Sequence, residues 1–225
     1  MACEQGIYER ENLQLLQSLV RPGTWMFDVG ANIGLMAVPI LRSAPQAKVL
    51  SFEPSPNSLR FLERTLAESG LGDRWKLIPK SVGAVPGITR FFVSASETGC
   101  YDGVAETGRA GKQEAVDLPM TTLDVEWEAL GCPEVSVIKI DVEGWESQVI
   151  LGGMRLFKEK KPYVLLEWEP RNLEKAGVVN HQLLEIADRI GYKIFTPGEF
   201  IEVANSESLQ LQMRRNDSFL LAPKG

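Results

Sequence analysis

The sequence predicts a doubly wound α/β fold: a mostly parallel sheet of seven strands, helices on both faces and one antiparallel edge strand. Three observations carry this expectation. Short β-rich runs alternate with helix-length amphipathic runs, the pattern of successive βαβ units. Residues 135–140, Val-Ser-Val-Ile-Lys-Ile, form a β-branched run of the kind found in strands covered on both faces. Two late runs, 192–196 and 218–222, read as a closing hairpin that supplies the antiparallel strand.

The elements follow in order. Residues 8–20 read as a leading helix, with Leu13, Leu16, Leu19 and Val20 on one face and Pro22-Gly23 as its stop. Residues 25–29 form the first strand, a glycine turn covers 30–34, and a helix runs over 35–42. A strand at 48–52 precedes a helix at 58–69, which Gly70 ends. Strands follow at 75–79 and 88–94, the latter pairing with 116–120. The polar, glycine-rich stretch 96–111 reads as a surface loop. A short helix at 123–130, the strand at 135–140, one helix over 145–157, a strand at 163–168 and a helix at 181–190 lead into the hairpin, whose strands the stretch 197–217 joins. With 225 residues, the chain suits one domain over 23–225, with 1–22 as a helical lead-in.

Composition removes several function classes. The net charge of −6 leaves no basic footprint for a nucleic-acid partner, and the basic runs at 158–161 and Arg214-Arg215 read as solvent-facing. Cys3, Cys100 and Cys132 are far apart, so no structural zinc set is expected, and the sparse, odd count suits a reducing compartment. Nothing approaches the ~20 apolar residues of a membrane span, and residues 1–6 lack the features of a signal peptide. The expectation is a cytoplasmic protein; its oligomeric state, homodimer included, stays open.

The chemistry concentrates where strands end. Asp28 closes the first strand, and Gly30, Ala31, Asn32 and Gly34 follow. Gly30 accepts a positive φ and lets a ligand approach the backbone, and Asn32 tolerates the left-handed region. Phe52-Glu53-Pro54 ends the second strand; an acid there accepts hydrogen bonds from both hydroxyls of a ribose, and Pro54 fixes the turn away from it. Together these point to a nucleoside ligand at the carboxyl edge of the sheet. A dinucleotide site needs Gly-x-Gly-x-x-Gly around a pyrophosphate. Here Asn32 replaces the middle glycine, and Asp28 would repel phosphate. An acid suits a cationic ligand, and S-adenosylmethionine carries a sulfonium and an ammonium without phosphate. An NAD-dependent oxidoreductase and a non-catalytic binding module remain the competing readings.

Asp28-Val-Gly-Ala-Asn-Ile-Gly34, Phe52-Glu53-Pro54, Thr121-Thr-Leu-Asp124 and Lys139-Ile-Asp-Val-Glu-Gly-Trp-Glu146 resemble the FkbM family of methyltransferases, over about residues 20–222. The resemblance implies a class I Rossmann-like fold and S-adenosylmethionine-dependent methylation of a hydroxyl on a sugar, glycan or natural product. It also implies that the 28–34 turn holds the methionine part of the cofactor, that Glu53 holds its ribose, and that the segment after the third strand, including Ser81 and Val82, lies near the adenine. The 96–111 loop matches no substrate element of the family.

Asp141 and Glu143 leave the strand at 135–140 on one side. Methyl transfer to an alcohol needs an aligned oxygen and a group to take its proton. Asp141 is the first candidate for that base or for positioning the acceptor, followed by Glu143 and Glu167; Asp141 also borders the cofactor. Glu143 alternatively reads as an acid at a helix N-terminus. Lys139, within an apolar strand, calls for a buried partner among Asp28, Asp141 and Glu167. His181 reads as a helix-start residue, Trp145 and Trp168 as core or as walls of the site, and Asn216 as a reach toward the acceptor. No Asp/Glu/His spacing specifies a divalent site, so no metal ligand is assigned, and metal dependence stays open because acids cluster.

Overall fold

The computed structural model describes residues 9–94, 102–104 and 113–225. Its elements are α1 (Arg10–Leu19), β1 (Trp25–Val29), α2 (Ala37–Ser43), β2 (Lys48–Phe52), α3 (Pro56–Ser69), β3 (Trp75–Ile78), β4 (Ser81–Val82), β5 (Gly87–Ser94), β6 (Gln113–Thr121), α4 (Leu123–Ala129), β7 (Val135–Ile140), α5 (Glu146–Leu151), α6 (Met154–Lys160), β8 (Tyr163–Glu167), α7 (Pro170–Lys175), α8 (Gln182–Ile190), β9 (Tyr192–Phe195), α9 (Ser206–Gln212) and β10 (Ser218–Pro223). Seven strands form the main sheet in the order β3-β2-β1-β7-β8-β10-β9. All neighbours are parallel except β10, which runs antiparallel to both β8 and β9. A small second sheet, β4-β6-β5, stands beside it.

Strand alternation builds two cores. Phe27, Val29, Leu50, Phe52, Ile138, Ile140, Val164 and Leu166 point to one face and bury residues of α4, α5, α6 and α8. Met26, Val49, Val137, Leu165 and Leu220 point to the other, where Leu15 and Leu16 of α1 and Ile40 and Leu41 of α2 cover them. The lead-in helix is thus part of one core. The strand order reverses between β1 and β7, and their paired carboxyl ends open the crevice where ligands bind in such sheets.

Three differences from the sequence reading have physical causes in the structure. The helix expected over 145–157 is broken into α5 and α6 at Gly152-Gly153. A Cβ on Gly152 would lie 2.0 Å from the Gly83 carbonyl oxygen, so the helix is interrupted where it meets the β4 segment. A helix at α7 starts on Pro170 with the Glu169 side chain capping Asn172 N at 3.0 Å. Another, α9, starts on a capping box between Asn205 and Ser208 inside the stretch read as a plain connection. The loop expected at 96–111 lies, apart from 102–104, outside the described residues. Among the described residues no helix is long and apolar enough to cross a membrane.

Candidate active site

The turn after β1 is held by backbone. Gly30 N and Ala31 N both donate to Phe52 O at 3.0 Å, fixing the turn to the end of β2. Gly30 has φ 76 and Asn32 φ 48. A Cβ on Gly30 would sit 1.8 Å from the Asp141 carbonyl oxygen, so the chain after β7 packs directly on this turn. Gly34 (φ 88) serves differently: a Cβ there would meet Trp75 at 2.7 Å and Leu62 at 2.9 Å. It packs the turn against β3 and α3.

Glu53 closes one side. Its Oε2 accepts from Asn32 N and its Oε1 from Ser55 N, both at 2.8 Å. Burial pushes this carboxyl up to about 7, against the pull of those two amides. Each oxygen keeps lone-pair capacity for a further donor.

The opposite side is crowded with charge. Asp141 N donates to Val29 O at 3.0 Å, continuing the β1–β7 ladder past the strand end. The chain then turns through Glu143 (φ 57) and Gly144 (φ 98). Buried Glu146 staples that turn, its Oε1 accepting from Val142 N at 3.2 Å and Gly144 N at 3.1 Å. The acid favoured by a helix start is therefore Glu146, while Glu143 sits in the turn before it. Carboxylate oxygens of Asp141, Glu143 and Glu167 lie within 4.8 Å of one another. Burial, then the charges of Asp141, Glu143 and Glu146, push Glu167 far above the usual carboxylate range. Its Oε2 accepts from Asn172 Nδ2 at 3.1 Å.

Between the two sides lies Lys139. Its Nζ donates to Gly30 O at 2.8 Å, lies 3.0 Å from Asp141 Oδ2 and 3.8 Å from Asp28 Oδ1. Burial favours the neutral amine, but Asp141 and Asp28 outweigh it and hold the ammonium protonated. Asp28 is fully buried; burial pushes it up to about 6, against the pull of Lys139.

These groups enclose one cavity of about 320 Å³, within the range of small-molecule sites. Gly30, Ala31, Asn32, Glu53, Pro54, Ser81 and Val82 line it, as do Asp141, Glu143 and Glu167. Asp28 and Gly34, expected to touch a cofactor, are not in the lining. Asp28 pairs in register with Lys139, which lines the cavity in its place, and Gly34 faces a tryptophan and a leucine. Trp145 lines the cavity and its buried Nε1 has no hydrogen-bond partner. Trp168 is core, its Nε1 donating to Asn180 O at 3.0 Å. His181 is exposed beside Glu185 at 3.8 Å, and Asn216 bonds to Gln212; neither lines this cavity.

Sequence reading missed Asp102. Its Oδ2 accepts from Ser55 Oγ at 2.6 Å and Asn57 Nδ2 at 3.2 Å, and its Oδ1 accepts from Ser94 N at 2.7 Å, so residues 102–104 form an outer wall of the cavity. No local pattern marks it, because its partners lie on α3 and β5. Lys80, Phe91 and Met36 also line the cavity.

The family model described as the methyltransferase FkbM domain matches residues 28–194, from the end of β1 through all three clustered acids. The chain belongs to the FkbM methyltransferase family. It is 32% identical over 177 residues to methyltransferase sdnD of Sordaria araneosa, covering 66% of this chain and 68% of that one. Its fold matches methyltransferase FkbM from Methylobacillus flagellatus KT with a TM-score of 0.55 at 18% identity, over 98% of this chain and 50% of that one. The chain thus spans half the length of that protein. A TehB-like SAM-dependent methyltransferase from Corynebacterium glutamicum matches with a TM-score of 0.51 at 12% identity, over 100% and 92% of the two chains.

Proposed function

We propose that this FkbM-family chain is an S-adenosylmethionine-dependent O-methyltransferase acting on a hydroxyl of a sugar, glycan or natural product. One observation carries the reading: a backbone turn with a nearby acid and a cluster of three acids line two sides of the same cavity. When bound, S-adenosylmethionine supplies an electrophilic methyl group. The residues present suit it. Glu53 retains acceptor capacity for two ribose hydroxyls, Gly30, Ala31 and Asn32 offer close backbone approach to the methionine part, and Pro54, Ser81 and Val82 line the adenine end.

On the acceptor side, Asp141, whose Oδ2 lies 3.0 Å from the Lys139 ammonium, takes the hydroxyl proton. Glu167, held protonated by its surroundings, donates a hydrogen bond that orients the acceptor oxygen, and Glu143 contacts the acceptor's other hydroxyls. The family and its relatives' names support methyl transfer; the acid-rich lining supports a hydroxyl acceptor. The test uses methyl-labelled S-adenosylmethionine with a panel of sugars and polyhydroxylated natural products. Label recovered as a base-stable ether is the expected result. Label released as methanol by mild base, the signature of a methyl ester, or label on nitrogen overturns the hydroxyl assignment.

A further inference from the structure

We propose that Lys139 is a positioning residue that joins the cofactor turn to the acceptor-side acid, so that filling the turn and aligning Asp141 are one event. The inference rests on the roles given above to the Gly30 turn and Asp141. A single buried ammonium donates to the Gly30 carbonyl at 2.8 Å and meets the Asp141 carboxylate at 3.0 Å. These partners lie on different loops, one after β1 and one after β7. The loops already touch backbone to backbone, since a Cβ on Gly30 would strike the Asp141 carbonyl oxygen at 1.8 Å. Their backbones are therefore in register, and the Asp141 side chain needs its own tether.

Asp28 supplies the other half of the device. It is fully buried, and neither of its carboxylate oxygens has a hydrogen-bond partner. At 3.8 Å the Lys139 ammonium holds it by charge alone. Asp28 therefore acts as a counter-ion that keeps a cation in an otherwise apolar strand. Its position opposite Lys139 in the β1–β7 register follows from the fold. Losing the tether removes the coupling between the two loops and should weaken cofactor binding about tenfold.

The test measures S-adenosylhomocysteine binding by calorimetry and hydrogen exchange with and without it. In the wild-type protein the ligand should protect residues 29–34 and 141–146 together. The charge-balanced variant Asp28→Asn/Lys139→Met should bind about tenfold more weakly and protect only 29–34, with its melting temperature marking that it folds. Asp141→Ala removes the tether at its partly exposed end and should also lose protection at 141–146; if the double variant does not fold, this one decides. Joint protection of both segments in the folded variants, with native affinity, overturns the coupling while leaving the site assignment standing. A wild-type protein that binds no S-adenosylhomocysteine overturns the underlying cofactor reading and the coupling with it.

Discussion

The two sides of the cavity use the same residue type in opposite ways. Glu53 and Glu167 each end a strand, at the same edge of one sheet, and burial raises both. Burial pushes Glu53 up to about 7 while the two backbone amides it faces pull against that rise. Glu167 faces Asp141, Glu143 and Glu146, and their repulsion adds to its burial. In the proposed function, backbone donors leave one carboxyl to accept from a neutral ribose, and neighbouring acids leave the other to donate. Environment, not residue type, divides the labour.

The comparison breaks first at Gly30, which both sides share. Gly30→Ala places a Cβ 1.8 Å from the Asp141 carbonyl oxygen at a φ of 76. Cofactor binding should be abolished and the melting temperature lowered, as read by calorimetry and thermal unfolding. Native binding would mean that the turn and the 141 loop are free to separate.

Asp141→Asn should lower kcat by about 10²–10⁴-fold, the usual range for general acid–base catalysis. The Kd for S-adenosylmethionine should move by no more than about an order of magnitude. Steady-state kinetics with a methylated acceptor and a parallel titration measure the two; full activity would remove Asp141 from the proton transfer. Glu53→Gln has the reverse signature. It should weaken cofactor binding about 10–100-fold through loss of charged acceptors, with little further loss of kcat at saturation.

The smallest effect is a pH dependence that sharpens the contrast. The folded-state values of Asp28, Glu53 and Glu146, about 6, 7 and 7, lie above their ordinary values of 3.8, 4.5 and 4.5. The folded state therefore binds more protons than the unfolded state in that window, and stability should fall as pH rises from about 4.5 to 7. Each group contributes up to about 1.4 kcal/mol per pH unit there. Urea unfolding across that window should show a negative slope, reduced in Glu53→Gln. A rising slope would contradict the buried-acid account. Cofactor affinity should strengthen over the same range as Glu53 ionises.

The Gly30–Glu53 side of the cavity was legible because its signals are local. An acid near the end of β1, a glycine turn and an acid just after β2 are all sequence-near, and the family resemblance runs through the same residues. Lys139 was legible as a charge needing a partner, since an isolated cation in a buried strand is costly. The orientation of Asp28 was not, because strand alternation shows that a side chain changes face without showing which face opens to the cavity. The break at Gly152 depends on the Gly83 carbonyl, the wall at Asp102 on Ser55 and Ser94, and the position of Gly34 on Trp75. Each needs a contact between segments distant in sequence. The α9 capping box was local and readable, and the length of the hairpin connection obscured it.

The central claim is that this cavity takes a nucleoside sulfonium and not a dinucleotide. Calorimetric titration of the wild-type protein with S-adenosylmethionine, S-adenosylhomocysteine and NAD tests it most directly. Saturable one-site binding of the first two and none of NAD is the predicted result. Binding of NAD, or no binding by either sulfur ligand, would contradict it.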